Sequence, residues 1–192
     1  MSRILVLYGS TYGQTERIAR RLGEFLQQAG FAVDLHRGDR LPEYLTLETY
    51  TGVVVAASVL AGYHQRYIRE FVRYHAARLN RLPSAFVSVC GSAGSEPAKA
   101  SAYIEGLLQE SGWRPTITRS FTGAVTYTKY SWPMRWVLKR ISRSKGLPTD
   151  TSRDWDFTEW SEVKVFARTL AALFATTPVR GEVAVASPAR AG

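Results

Sequence analysis

Two apolar runs constrain this chain more than anything else in it. "RILVLY" (Arg3 to Tyr8) and "GVVVAAS" (Gly52 to Ser58) are of strand length and almost unbroken by polar residues. A strand that is apolar at successive positions must be covered on both faces, which is the situation of a central strand in a parallel sheet. After the first run the period changes. Ile18, Leu22, Phe25, Leu26 and Ala29 recur at helical spacing, Arg17, Arg20, Arg21, Glu24 and Gln28 take the other face, and Gly30 supplies a stop.

This unit of strand, glycine turn and amphipathic helix recurs. "FAVDLH" (Phe31 to His36) alternates as a strand, and Ile68, Phe71, Val72, His75 and Leu79 mark a helix after the second apolar run. "SAFVSVCGSAG" (Ser84 to Gly94) reads as a strand ending in a Gly/Ser turn, and Ala98 to Leu108 as a helix. "TITRSFTGAV" (Thr116 to Val125) gives a last strand, and Val163, Phe166, Ala167, Leu170, Leu173 and Phe174 a closing helix. Five strands alternating with helices predict an α/β fold with a parallel sheet covered on both faces, because parallel connections need crossovers. The 192 residues suffice for one such domain, expected over 1–177.

Two segments break the alternation. Thr126 to Trp155 fill a gap that a compact fold closes with a handful of residues, so 126–155 is expected to be a functional or disordered insertion. The last stretch, 178–192, is small, proline-bearing and without period, and is expected to be a disordered tail.

No apolar run approaches the ~20 residues that span a bilayer. The short apolar start leads into a glycine turn with no cleavage site, which predicts a cytoplasmic protein. The single cysteine, Cys90, excludes an internal disulfide and a cysteine metal cage. His36 and His75, on a strand end and a helix, show no ligand spacing, and no metal is expected. His64 is expected to be satisfied by backbone rather than to serve as a base. The formal charge of +9 favours an anionic partner.

In an open α/β sheet, ligands bind beyond the carboxyl ends of the strands, where strand order reverses. Three loops fall there: Gly9 to Thr15, Ser58 to His64 and Gly91 to Glu96. The first offers the hydroxyls of Ser10, Thr11 and Thr15, a flexible Gly13, and a helix N-terminus whose unpaired amides suit a phosphate. It is neither a Walker loop nor a dinucleotide fingerprint. A phosphate can be held there without a lysine; alternatively, the hydroxyls only cap the helix.

"GSTYGQTERIA" after a buried strand resembles the phosphate loop of the flavodoxin fold, and "AASVLAGYH" and "VCGSAGSEP" fall where that fold places its two ring-contacting loops. The resemblance runs from Ser2 to about Ala175. It implies a three-layer sandwich with strand order 2-1-3-4-5 and bound FMN. It implies that Ser10, Thr11, Tyr12, Gly13, Gln14 and Thr15 hold the phosphate. Ser58, Val59, Leu60, Ala61, Gly62 and Tyr63 would line one side of the flavin ring, with Tyr63 its aromatic neighbour, and Cys90, Gly91, Ser92, Ala93 and Gly94 would border the other.

"VVVAASVLAGYHQRYIREFVRYHAARLNRLPSAFVSV", "ESGWRP", "GAVTYTKYSWPMRWVLKRI", "PTDTSRDWDFTEW" and "FARTLA" further resemble the menaquinone-dependent protoporphyrinogen dehydrogenase family, which carries a basic aromatic insertion before its last helix. That resemblance implies FMN-dependent oxidation of protoporphyrinogen IX to protoporphyrin IX, a step of haem biosynthesis, with a membrane quinone as acceptor. It implies peripheral attachment to the inner face of the cell membrane. A nicotinamide-dependent quinone reductase, an electron-carrying flavodoxin and a flavin-free membrane scaffold are the other readings. The basic charge disfavours the electron carrier, whose usual partners are themselves basic. No catalytic acid or base stands out, and a homo-oligomer is left open.

Within the insertion, Lys129, Arg135, Lys139, Arg140, Arg143 and Lys145 occur with no acid among them, interleaved with Tyr127, Tyr130, Trp132 and Trp136. From Pro133 the segment reads as a helix with Trp136, Val137, Leu138 and Ile141 on its apolar side. Such a helix suits an anionic bilayer surface over 127–145, or the propionates of a porphyrinogen. Alternatively the aromatics pack on the sheet and the cations stay solvated. Nucleic acid ranks lower, since no nucleic-acid module accompanies the cations.

Overall fold

The computed structural model describes residues 2–129, 131–144 and 149–176. In chain order the elements are β1 (Arg3–Gly9), α1 (Gln14–Gln28), β2 (Ala32–Arg37), β3 (Gly52–Leu60), β4 (Tyr63–His64), α2 (Arg66–Tyr74), α3 (Ala76–Leu79) and β5 (Ser84–Cys90). They continue with α4 (Pro97–Ser111), β6 (Ile117–Thr122), β7 (Ala124–Val125), α5 (Trp132–Ser144), β8 (Trp155–Asp156) and α6 (Trp160–Ala175). The expected tail 178–192, together with Tyr130 and Lys145, lies outside the described residues.

The central sheet has the order β2-β1-β3-β5-β6, every neighbouring pair parallel. Counting only these five strands, this is the 2-1-3-4-5 order that the resemblance to the flavodoxin fold implies. The unbroken apolar runs are explained by the pleat: successive side chains go to opposite faces, and both faces are covered. Ile4, Val6, Val54 and Val87 pack under α1 and α6, against Ile18, Leu22, Val163 and Leu170. Leu5, Leu7, Val53, Val55 and Phe86 pack on the other side against Ile68, Val72, Ile104 and Trp113.

Two expectations need correction. Thr116 to Val125 is not one strand, because the chain leaves the sheet at Gly123. There the Gly123 N–H donates to the Cys90 carbonyl (3.4 Å) and the Gly123 carbonyl accepts from Phe157 (3.3 Å). Ala124 and Val125 then pair antiparallel with Asp156 and Trp155 as a separate ribbon. The stretch Ser58 to His64 is not an open loop either. β3 runs on past the sheet to Leu60 and folds back into β4, pairing Val59 with His64 and Leu60 with Tyr63.

The two residues of that hairpin turn, Ala61 and Gly62, have φ of 51° and 90°. Both are left-handed, which matches the twist of the flanking strands but costs a residue with a Cβ about 1 kcal/mol. Replacing Ala61 with Asn, which tolerates this region, is expected to raise stability by roughly 0.5–1 kcal/mol. A thermal midpoint at or below that of the parent would show that Ala61 stores no strain.

Candidate functional site

Strand order reverses between β1 and β3, and beyond their carboxyl ends a cleft of about 230 Å³ opens. Ser10, Thr11, Tyr12, Gln14 and Thr15 line one end of it, Ser58, Val59 and Leu60 one wall, and Cys90 and Gly91 the other. Val89 and Gly123 to Val125 complete the lining. Sequence reasoning missed these last residues because it read them as the interior of strands.

The hydroxyls at the first loop do not cap α1. Its N-cap residue is Gly13, left-handed at φ 98°, which has no side chain with which to cap the first helical turn. Ser10 instead closes the loop on itself, its Oγ accepting the Gly13 N–H at 2.9 Å. The first amides of a helix have no partner within it. The Thr15 hydroxyl is buried and without a hydrogen-bond partner among the described residues. Unpaired donors gathered at the positive end of a helix dipole fit a multiply charged oxyanion.

Gln14 turns away from this cradle. Its Nε2 donates to Asp156 Oδ1 (2.8 Å) and Thr158 Oγ1 (2.7 Å), and its Oε1 accepts from Arg17 (2.9 Å). Burial alone would raise the Asp156 carboxyl, but hydrogen bonds from Thr158, Gln14 and Trp160 outweigh it and hold it below the usual range. Gln14 therefore fastens the loop to the ribbon of the insertion. A lysine, not expected at this loop, is also present: Lys129 Nζ donates to the Tyr12 carbonyl at 2.9 Å.

The two ring-side loops are brought in only partly. Tyr63 is 68% exposed, has the Arg69 guanidinium 5.6 Å from its ring centre, and lines a different depression with Ala61, Gly62 and Glu110. The hairpin that folds β4 back carries it there. Gly94 packs against Thr122, Ala93 borders a third hollow with Pro97, and Ser92 is buried, its carbonyl accepting from Glu96 at 2.8 Å. Cys90 is buried at the cleft wall.

His64 belongs to the core. It is 4% exposed, its Nε2 pairs with Ser88 Oγ at 2.9 Å, and its ring meets Phe86 edge-on at 5.1 Å. The partner is a side chain, not the backbone expected from sequence. Burial, helped by the Arg69 charge, pushes its pKa down to about 4, so the ring is neutral and no base for the cleft.

The described residues of the insertion are arranged around the loop they touch. Asp154 accepts from the Thr128 N–H (2.9 Å) and hydroxyl (2.8 Å), and Arg135 donates to the Thr128 carbonyl (3.0 Å). Tyr127, expected as a surface contact, is fully buried. Trp132 and Trp136 are 80% and 60% exposed on α5, beside the exposed Lys139, Arg140 and Arg143, and Arg140 reaches over the Trp136 ring at 6.0 Å. Among the described residues no helix is long and apolar enough to cross a membrane.

A flavodoxin domain profile matches residues 5–152, about three quarters of the chain. The chain belongs to the flavodoxin family. Among curated proteins it is 35% identical to "Protoporphyrinogen IX dehydrogenase [quinone]" of Escherichia coli (strain K12), over 89% of this chain and 96% of that protein. The protein of the same name from Leishmania major is 30% identical over 93% of this chain and 78% of its own length. Oxidised flavodoxin 1 from Bacillus cereus superposes with a TM-score of 0.56 at 16% identity, covering 93% of this chain and 100% of that one. The C101S mutant of Pseudomonas aeruginosa flavodoxin gives 0.53 at 15% identity, covering 90% and 99%. The flavodoxin structures support the fold, and the curated relatives place this member among flavin oxidoreductases.

Proposed function

We propose that this flavodoxin-family chain binds FMN in the cleft and oxidises protoporphyrinogen IX to protoporphyrin IX, with a membrane quinone as electron acceptor. The observation that carries the cofactor is the unpartnered donor set at Thr15 and the first turn of α1, which fits a phosphate monoester. The substrate and the acceptor rest on the two relatives of that name.

FMN supplies the two-electron chemistry; the chain supplies placement and electrostatics. Ser10 shapes the loop around the phosphate, and Thr11 and Thr15 offer hydroxyls to it. Val59, Leu60, Val89 and Cys90 would give the walls an apolar lining, and Ser58 would offer a polar contact to the ring. Among the described residues no carboxylate or histidine lines the walls, so protons leaving the substrate pass to solvent at the open side. Anaerobic protoporphyrinogen should bleach the flavin of the loaded protein, and a quinone should restore it. Rapid bleaching by NADPH in its place would make the chain a nicotinamide-dependent quinone reductase.

We also propose that α5 docks on the anionic inner face of the cell membrane. Exposed tryptophans rest at a headgroup boundary, and each nearby cation contributes about 1 kcal/mol. Lys139→Ala is therefore expected to weaken binding to phosphatidylserine vesicles about fivefold at low salt, with the fold intact. Equal binding by the variant would remove α5 from the contact.

A further inference from the structure

Gln65 follows β4 and begins α2, yet its side chain does not cap that helix. It reaches across the end of β1. Its Nε2 donates to Thr11 Oγ1 at 3.1 Å and to Ser58 Oγ, while its Oε1 is buried with no hydrogen-bond partner among the described residues. Thr11 and Ser58 line the cleft from different loops, the phosphate end and the ring wall, so one amide spans both.

The orientation of that amide has a direct consequence. Turning it over would bury two N–H donors in place of one acceptor, which costs more, so the N–H groups face the two hydroxyls. An N–H can only donate. Each hydroxyl oxygen therefore accepts from Gln65, and each O–H is left to donate to something else. Each hydroxyl keeps one lone pair but has its O–H free of Gln65, so the cleft gains an available donor at each of its two ends.

We infer that Gln65 is a positioning residue that sets the hydrogen-bond polarity of the cleft, making it select a ligand with acceptors at both ends. A phosphate presents acceptors at the Thr11 end. A flavin ring held against the wall would meet the Ser58 hydroxyl with its own acceptor atoms. The inference rests on the flavin reading above and deepens it, because it gives a role to a residue that is not itself among the cofactor contacts of the sequence pattern but bonds two of them. Gly9 supports the arrangement: a Cβ there would lie 2.8 Å from Gln65 Oε1 and 2.6 Å from Ile68, so only glycine leaves the amide in place.

The test compares Gln65→Glu with Gln65→Met by fluorescence titration of FMN and of riboflavin, with circular dichroism confirming the fold of each. A carboxylate only accepts, so Glu would keep both contacts but take both O–H groups and turn their oxygens toward the ligand. Met removes the contacts and leaves the hydroxyls free to reorient. Polarity control predicts that Glu is the worse variant, weakening riboflavin roughly 30-fold and Met only about fivefold. Riboflavin is uncharged, so repulsion between a carboxylate and a phosphate does not explain that ranking. In a Ser58→Ala background the difference between Gln and Glu toward riboflavin should largely vanish. If Gln65 merely ties two loops together, Glu will bind riboflavin better than Met does, and the inference falls. A parent protein that binds neither flavin would overturn the cofactor reading itself; a parent that binds both while Glu matches it would overturn only the role of Gln65.

Discussion

Between pH 6.5 and about 4, the ligand-free fold is expected to lose roughly 3 kcal/mol through His64 alone. The buried ring stays neutral down to about pH 4, while the same side chain in the unfolded chain charges near 6.5. Over that window the unfolded state binds the additional proton, so stability falls as pH falls. Above 6.5 the contribution is flat. Burial lowers His75 in the same direction and adds to the slope. Asp34 and Asp156 act later. Burial opposes their ionisation, but bonds from Arg3 and Tyr50 to Asp34, and from Thr158 and Gln14 to Asp156, hold both below the usual carboxylate range. Their contribution is present above their unfolded values, near 3.8, and disappears only below them. Urea denaturation at a series of pH values should thus show a first decline before the carboxylate one. In His64→Gln, which keeps a polar partner for Ser88 and does not titrate, the first decline should shrink to what His75 provides. A variant with the parent's full decline would mean that His64 is charged in the folded protein.

What the sequence disclosed and what it hid follow from distance along the chain. β1, the glycine turn and α1 were readable because the change of period, Gly13 and the hydroxyls all lie within about twenty residues. The parallel sheet was readable because strands apolar at every position need cover on both faces, while its strand order followed only from the resemblance of the first loop to the flavodoxin fold. The contacts that tune the site join remote segments. Lys129 meets Tyr12 across 117 residues, and Gln14 meets Asp156 across 142. No local spacing predicts either. Gln14 sits in the phosphate-loop pattern yet serves as a fastener, because a carboxylate and a hydroxyl from the far end of the chain arrive beside it. Tyr63 is displaced for a similar reason: its direction depends on whether β3 stops at Ser58 or runs on into a hairpin, and alternation alone does not decide that. Tyr127 shows the opposite error, since an aromatic next to cations reads as a surface anchor until the segment folds over it.

Thr15→Val is expected to move apo stability and cofactor affinity in opposite directions. In the ligand-free chain the Thr15 hydroxyl is buried and unpartnered among the described residues, an arrangement that costs about 1–3 kcal/mol. Valine has the same shape without the polar atom, so the empty protein should gain stability, by up to roughly that amount. The loaded protein should lose a hydrogen bond to a charged phosphate, worth about 1.5–3 kcal/mol, and the FMN dissociation constant should rise about 10- to 150-fold. Riboflavin, which has no phosphate, should bind parent and variant alike. These three readings form a signature that a general packing defect does not reproduce: a defect lowers the melting midpoint and weakens both flavins. The natural residue is then the one that leaves the empty site dissatisfied, and the phosphate removes the dissatisfaction, so part of the cofactor's affinity is stored in the apo fold as an unmade hydrogen bond. Isothermal titration with FMN and riboflavin, beside melts of the flavin-free proteins, measures all three. A variant that is destabilised when empty, or that loses riboflavin as steeply as FMN, would place Thr15 in the core of the fold and not at the phosphate.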